Sequence, residues 1–269
     1  MQACDAHIHV LDARFPRIPD PAAPLPAKST IDDYLRVRET FGTTRAVVVQ
    51  AKNFGTDNRA MLDAVQRLGP DGRGVVVLTP LVSDDELRVL AAQGVRGVRF
   101  SVWNPDDAVV RIDMIPALAR RIAELGWHIQ VHLSGEQIVR HASMLASLPC
   151  HLVVDHMARL PPGQGTEHQA FSIVRRLIDA GRTWVKLSGP YLNTATPRPD
   201  YSDASRVARA FVAAAPERLV WGSDWPHVTE RENPPDDRQL RRLLDEWVPR
   251  PEDRRRILVE NPEILYGFA

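Results

Sequence analysis

Two histidines separated by a single residue lie near the start of the chain, in the stretch CDAHIHVLD. Side chains alternate along an extended strand, so His7 and His9 would point to the same side. Two imidazoles directed at one point suit a transition-metal ion or a polarised carbonyl oxygen. The pair alone is weak evidence, because many strand-end histidines are simply hydrogen-bonded there.

Further polar side chains stand at the ends of other apolar runs: His132 in QVHL, His156 in VVDH and Asp224 in WGSD. Ionisable groups at the ends of apolar strands cost free energy unless something compensates them. We therefore expect these three residues to form one site together with the histidine pair, provided that the fold brings the ends of the runs together.

The apolar runs predict such a fold. Eight short runs alternate with amphipathic segments, often with a glycine at the turn before the next run. The runs lie near residue 7 and at 45–50, 74–80, 95–101, 127–133, 151–156, 183–189 and 218–224, and the amphipathic segments at 30–41, 57–68, 84–93, 113–125, 136–147, 168–180 and 203–214. Eight such units favour a closed TIM-type (β/α)8 barrel over an open doubly wound sheet, and the C-terminal strand ends of a barrel meet on one face.

We expect residues 1–269 to form one domain, with helices of the C-terminal tail packed outside the barrel. The long segments 14–28, 157–167, 190–202 and 225–238 are rich in proline, glycine and polar residues, and most follow a strand. They are predicted to form the walls and lid of the barrel mouth.

The composition excludes several classes of partner. The 34 basic residues balance the 34 acidic ones, so charge gives no indication of a nucleic-acid partner. The sequence lacks the roughly 18 continuous apolar residues of a membrane span. Two cysteines are too few for a disulfide framework. We expect a cytoplasmic monomer or small homo-oligomer that binds a small molecule, without nucleic-acid or membrane partners.

Several motifs resemble the amidohydrolase superfamily, namely DAHIHV, QVHL, VVDHMAR and WGSDWPH. With VVVQAKNFGTDN, GVRGVRF, WVKLSGPY and RRILVENPEILYGF, they are similar to the branch of 2-pyrone-4,6-dicarboxylate lactonase, galactarolactone isomerase and the 4-sulfomuconolactone hydrolases. The resemblance covers essentially the whole chain and implies a TIM-type barrel acting on a carboxylated lactone. Matched motif by motif, it puts the histidine pair on His7 and His9, the strand-6 histidine on His156, the strand-8 acid on Asp224 and a carboxylate-binding arginine on Arg99.

Three positions depart from the pattern of the pyrone-dicarboxylate enzymes. Pro105 stands in place of a second arginine, Lys52 in place of a small hydroxyl residue, and His132 in place of a tyrosine. These departures put the pyrone dicarboxylate itself in question and leave a monocarboxylated or hydroxylated lactone open.

A metal ligand set is also available. His7, His9, His132 and Asp224 offer three imidazoles and one carboxylate, compatible with a single Zn²⁺ that keeps an open position for water. Strand 4 supplies no lysine or glutamate to bridge a second ion. The resemblance leaves an alternative open, because pyrone-dicarboxylate lactonase works without a metal and its histidines polarise the lactone carbonyl directly.

The expected reaction is hydrolysis of a lactone of the sugar-acid or muconate/pyrone type. Asp224 would be the general base, His156 would orient substrate or stabilise the developing oxyanion, and Arg99 would hold a carboxylate or else form an ion pair inside the barrel. The further substrate-contact candidates, for which loop packing is the alternative, are Lys52, Trp103, Tyr191 and His227.

Three other activities fit the same residues. A lactone isomerase of a sugar diacid would let a substrate hydroxyl attack instead of water, and a metal-dependent decarboxylase on the same barrel would release carbon dioxide. A binding protein on an inactive barrel is the third, but such a protein has no reason to keep five costly polar groups.

Overall fold

The computed structural model describes residues 2–18, 29–196, 198–230 and 232–269. Eight parallel strands pair in the order of the sequence, from β1 to β8. They are Cys4–Ile8 (β1), Arg45–Val49 (β2), Gly72–Val76 (β3), Val95–Ser101 (β4), His128–His132 (β5), His151–Val154 (β6), Thr183–Leu187 (β7) and Leu219–Trp221 (β8). The predicted (β/α)8 barrel is confirmed, although ten residues of the predicted mouth segment 14–28, at 19–28, lie outside the described residues.

The last strand returns to the first through the residues that follow β8. The backbone N–H of Asp224 donates to the His7 carbonyl at 2.9 Å, and the N–H of His9 donates to the Trp225 carbonyl at 2.8 Å. Gly222 permits this approach, since a Cβ there would lie 2.5 Å from the His7 Cβ. Closure of the barrel therefore brings the Asp224 segment directly against the histidine pair.

Helices surround this barrel. They are Ile31–Phe41 (α1), Arg59–Leu68 (α2), Asp84–Ala92 (α3), Ile115–Ala123 (α4), Gly135–Arg140 (α5), Ala142–Ala146 (α6), Gln169–Asp179 (α7), Ser202–Ala214 (α8), Asp237–Trp247 (α9), Pro251–Arg255 (α10) and Asn261–Tyr266 (α11), with a π-helical turn at Arg256–Glu260 before α11. The segment 136–147, predicted as one helix, is divided into α5 and α6 at His141. Within the described ranges, no helix is long and apolar enough to cross a membrane.

The interior of the barrel depends on an irregularity in β1. Between Asp5 and Ile8, three steps along β1 match only two along β2, which is the one-residue excess of a β-bulge. Cys4 packs with Val47 and other strand residues in an apolar cluster inside the barrel. Because of the extra residue, His7 also reaches the interior, although strict alternation from Cys4 would turn it outward.

The C-terminal tail packs against two different regions of the barrel. Helix α9 packs against α1 and α8 on the outside of the barrel, as expected. The chain end behaves differently, because Leu265, Tyr266 and Phe268 join the interior apolar cluster. These residues lie against the N-terminal halves of the strands and close the end of the barrel opposite the mouth.

Candidate active site

Closure of the barrel brings the two histidines and the strand-8 acid together. The Nε2 atoms of His7 and His9 are 3.2 Å apart. Asp224 Oδ1 lies 3.6 Å from His7 Nε2 and 3.7 Å from His9 Nε2. All three side chains are buried, and residues separated by more than 200 positions in the sequence thus present their polar atoms to one point.

The same three side chains have the spacing of metal ligands. Coordination bonds of about 2.0–2.2 Å in tetrahedral geometry put ligand atoms roughly 3.3–3.6 Å apart, close to the separations of His7, His9 and Asp224. His9 Nδ1 is 2.8 Å from the Val49 carbonyl, the kind of outer contact that fixes a metal-binding imidazole. Burial lowers the pKa of His9 to about 3, so the ring is neutral, as a ligand must be. The donor set therefore fits a single ion.

His132 is not part of that donor set. Within the part of the chain that the structure describes, the groups that could hold an ion are His7, His9 and Asp224, or His7, Asp155 and His156. The ring of His132 lies near His156 instead, with 5.1 Å between ring centroids. Three of the four expected ligands thus share one point, and the fourth, His132, does not.

A buried charged group lies beneath His7. Lys186 Nζ is 3.3 Å from His7 Nδ1 and donates to the Ala6 carbonyl at 2.8 Å and to Gln130 Oε1 at 2.8 Å. Asp155 Oδ1 is 3.4 Å from His7 Nδ1 and 3.8 Å from Lys186 Nζ. Burial opposes the ionisation of Asp155, but His7 and Lys186 hold the pKa of its carboxyl well below the usual value. The His7 ring is therefore held between two buried, oppositely charged groups.

The two carboxylate oxygens of Asp224 have different partners. While Oδ1 faces the histidines, Oδ2 accepts a 2.6 Å hydrogen bond from the Tyr191 hydroxyl. Burial raises the pKa of Asp224 to about 6, and the bond from Tyr191 offsets part of that rise. A carboxylate with a raised pKa is a stronger base than an exposed one, yet it is still ionised at neutral pH.

Tyr191 also connects to a second acid. His227 Nδ1 is 3.0 Å from the Tyr191 hydroxyl, and His227 Nε2 is 2.8 Å from Asp237 Oδ1. His227 is only 3% exposed and is not among the described residues that line the mouth cavity. Both of its ring nitrogens have protein partners, which differs from the expected substrate contact.

His156 enters from a segment with unusual backbone. His156, Met157, Ala158 and Arg159 all have positive φ, from 46° to 67°. Left-handed conformation costs roughly 1–2 kcal/mol for each non-glycine residue, and such strain concentrates at functional sites. The side chain of Asn193 donates to the His156 carbonyl at 2.7 Å, and His156 Nδ1 lies 2.9 Å from Ser188 Oγ. The turn directs the His156 and Arg159 side chains into the mouth.

Aromatic and cationic groups are stacked on one wall. The Arg159 guanidinium lies 4.2 Å from the centre of the Trp103 ring, and Trp103 is stacked on His132 at 6.2 Å. His132 Nδ1 is 3.1 Å from Ser101 Oγ, whereas its buried Nε2 has no hydrogen-bond partner among the described residues. This leaves one imidazole nitrogen available to a bound molecule.

The mouth encloses a cavity of about 390 Å³. Arg99 lines it and is nearly buried, with its Nε 3.5 Å from Asp155 Oδ2 and no hydrogen-bond partner for Nε in the described ranges. Lys52 lies at the rim in an ion pair with Asp107. The lining also includes His9, Trp103, His132, His156, Arg159, Tyr191 and Asp224. Cations, imidazoles and the carboxylates of Asp107, Asp224 and Glu230 thus line a space of small-molecule size.

The amidohydrolase family model matches residues 4–268 of the chain. The chain belongs to the amidohydrolase family. This amidohydrolase is 34% identical to a 2-pyrone-4,6-dicarboxylate hydrolase from Comamonas testosteroni, over 98% of this chain and 90% of the relative. It is 30% identical to the D-galactarolactone isomerase of Agrobacterium fabrum, over 99% of this chain and 91% of the relative.

Solved structures agree with the family. One assigned as a 2-pyrone-4,6-dicarboxylic acid hydrolase from Acinetobacter baumannii, with citric acid bound, superimposes with a TM-score of 0.87. The match covers 100% of each chain at 25% sequence identity. The family and branch expected from the motifs are confirmed.

Sequence reasoning missed several residues that surround the site of this amidohydrolase. Asp155 and Lys186 carry charge inside apolar strand segments, VVD and WVKL, and that position alone was a usable signal. Arg159 lies three residues after His156, in the motif DHMAR. Asp237 gave no signal, because it lies ten residues from its partner His227 within the segment 225–238, and only the fold of that segment brings the two side chains together.

Proposed function

We propose that this amidohydrolase hydrolyses a carboxylated lactone, with Asp224 as the general base. The observation that carries the proposal is the buried Asp224 carboxylate beside the neutral imidazoles of His7 and His9, at the floor of a cavity lined by cations. Its confirmed relatives are named for lactone substrates, which fixes the class of reaction to test first.

The cavity favours an anionic substrate. Arg99 is buried and lines the cavity with its Nε 3.5 Å from Asp155 Oδ2, so the terminal nitrogens of its guanidinium are the donors offered to a carboxylate in a poorly hydrated space. Arg159 on Trp103 supplies a second positive charge to the lining, which suits another carboxylate or hydroxyl groups of a sugar acid. The Lys52 charge is already paired with Asp107, so we give Lys52 a secondary role at the rim.

The proposed reaction needs one base and a polarised carbonyl. Asp224 takes a proton from water as the water oxygen bonds to the lactone carbonyl carbon. The ring C–O bond then breaks, and Asp224 returns the proton to the leaving oxygen, which gives a hydroxy acid. His156 and the free Nε2 of His132 lie on the wall where the carbonyl oxygen would gather charge, and they stabilise it.

We infer that His7, His9 and Asp224 would hold the metal if this enzyme uses one, and that a single Zn²⁺ suits their donor set. Bound there, the ion would polarise the carbonyl and lower the pKa of water. In a metal-free enzyme, the Nε2–H of His7 would itself donate to the carbonyl oxygen, because the single proton of the neutral His9 ring is on Nδ1 and is directed at the Val49 carbonyl. Asp224 is the base in both versions.

The decisive experiment combines elemental analysis with turnover. Purified protein is assayed by pH-stat on a panel of sugar-acid, muconate and pyrone lactones, with and without chelator. We expect acid release that Asp224→Asn reduces at least about 1,000-fold while the variant still binds the lactone, because the base is lost and the binding groups remain. Full activity of Asp224→Asn, or carbon dioxide release in place of ring opening, would refute the proposal.

A lactone isomerase is the second candidate, favoured by the 30% identity to the galactarolactone enzyme along nearly the whole chain. The same base would deprotonate a substrate hydroxyl instead of water. Turnover in ¹⁸O-labelled water separates the two reactions, since hydrolysis puts the label into the product carboxylate and ring migration leaves it out.

A further inference from the structure

We infer that Asp237, His227 and Tyr191 form a chain of positioning residues that fixes the orientation of the Asp224 carboxylate. The inference rests on the proposed role of Asp224 as the base. It also assigns to Tyr191 and His227 a function different from direct substrate binding.

The hydrogen bonds of the chain have only one consistent direction while Asp224 is ionised. The Tyr191 hydroxyl has a single proton, which it donates to Asp224 Oδ2 at 2.6 Å. Toward His227 the hydroxyl oxygen must therefore accept, from the Nδ1–H at 3.0 Å. His227 Nε2 then faces the Asp237 carboxylate at 2.8 Å. Because that carboxylate can only accept, Nε2 must donate as well, so the contacts of the hydrogen-bond chain are matched with a proton on both ring nitrogens of His227.

This chain of hydrogen bonds determines the rotation of the Asp224 carboxylate. The contacts of Asp224 Oδ1 with His7 and His9, at 3.6 and 3.7 Å, are longer than hydrogen bonds. The terminal torsion of an aspartate has a broad energy profile, so a carboxylate without a short bond turns easily. The 2.6 Å bond from Tyr191 to Oδ2 thus keeps Oδ1 directed at the histidines.

The backbone around Asp224 also needs outside support. Asp224 and His227 have φ of 63° and 61°, a conformation that costs free energy in non-glycine residues. Asp237 is the first residue of α9, whose N-terminal amides favour a negative charge, and α9 is anchored by buried Leu240 and Trp247. The hydrogen bonds through Tyr191 and His227 therefore connect Asp224, which lies on a strained turn, to helix α9, which packs on the outside of the barrel.

Loss of any member is expected to displace the base. Among the described residues, Tyr191 is part of the cavity lining, whereas His227 and Asp237 are not. A misplacement of about 1 Å at a reacting group costs up to roughly 100-fold in rate. We expect Tyr191→Phe and Asp237→Asn to lower kcat by about 10- to 100-fold while KM changes less than about threefold. Asp237→Asn is the more informative variant, because Asp237 lies outside the cavity lining among the described residues.

Asp236→Asn is the matched control. Asp236 is the neighbouring residue and caps α9 by accepting from the N–H groups of Arg238 and Gln239, which asparagine also does. The substitution removes the same charge from the same helix end without a contact to His227. Thermal melting of all three variants reports whether they fold.

Kinetics on a lactone that the wild type hydrolyses give two informative results. A selective loss of kcat in Tyr191→Phe and Asp237→Asn, with Asp236→Asn equal to wild type, supports the chain. Equal kcat in Asp237→Asn and Asp236→Asn, or a rise in KM with kcat unchanged in Tyr191→Phe, overturns it.

Crystal structures of the variants give a readout that does not depend on turnover, so failure of the proposed function remains distinguishable. A carboxylate of Asp224 rotated away from His7 and His9 in Tyr191→Phe supports positioning. An unmoved carboxylate overturns it, whether or not any lactone proves to be a substrate.

Discussion

The buried lysine beneath His7 leads to a measurable dependence of stability on pH. Burial lowers the pKa of Lys186 from 10.5 to about 8, and the nearby Asp155 only partly opposes that shift. Between these two values the unfolded chain binds a proton that the folded protein does not hold. The contribution of Lys186 to stability therefore rises with pH through this window, as the cost of a buried ammonium disappears.

The size of the effect follows from proton linkage. With pKa values of about 8 in the folded protein and 10.5 in the unfolded chain, the contribution of Lys186 to the free energy of unfolding grows by about 2 kcal/mol between about pH 7.5 and 9.5. Burial raises the pKa of Cys4 and Cys150, and these thiols act in the opposite direction over the same range, so the contribution of Lys186 is measured as the difference between wild type and Lys186→Met. The chain is well suited to this measurement, because it contains only three lysines, Lys28, Lys52 and Lys186, and arginines do not titrate here.

Urea unfolding of wild type and Lys186→Met at the two pH values is the assay. The variant leaves the Ala6 carbonyl and Gln130 Oε1 without their donor, so it should be less stable than wild type at pH 7.5. It should also lack the alkaline contribution of Lys186, so its free energy of unfolding should change between the two pH values by about 2 kcal/mol less favourably than that of wild type. Lys52→Met, at the partly exposed rim, is the control and should keep that contribution. A change with pH in Lys186→Met equal to that of wild type would show that Lys186 is not a buried charge.

Two further predictions concern the base and the closure of the barrel. Because burial raises the pKa of Asp224 to about 6, kcat/KM should increase with pH up to about 6 and level off above it; a profile flat down to about pH 4.5 would contradict this. Gly222→Ala should destabilise the protein by about 1–3 kcal/mol in urea unfolding, since the new Cβ would meet the His7 Cβ at 2.5 Å. Unchanged stability would mean that β1 and β8 can separate.

The architecture was predictable because each β/α unit carries its own local pattern. Apolar β-branched runs with helical segments between them leave few alternatives once there are eight. Polar residues at the run ends then converge through topology alone, which is why His7, His9 and Asp224 could be grouped before any coordinates. The four-residue left-handed turn at 156–159 was not predictable, since it contains no glycine.

Details within one strand were beyond sequence reasoning for a different reason. The bulge in β1 comes from the pairing of two strands, and the residues CDAHI give no indication of it.

The orientation of His132 is a second detail that the sequence did not predict. This residue closes β5 and lines the cavity as expected, yet the direction of its side chain, set by Ser101 and Trp103, takes it away from the His7 and His9 pair. Two residues at the C-terminal ends of barrel strands therefore need not have side chains in contact.

The buried charges connect the question of the metal to that of the substrate. Lys186 and Arg99 are positive, whereas Asp5, Asp155 and Asp224 are negative at neutral pH, and all five are buried around the histidine pair, so their charges sum to one negative charge. A divalent ion held by the histidine pair and Asp224 would leave one positive charge uncompensated, and Arg159 adds a second at the wall. Only an anionic ligand offsets such an excess in a poorly hydrated cavity. The metal-loaded form should therefore select for dicarboxylated lactones far more strongly than the metal-free form.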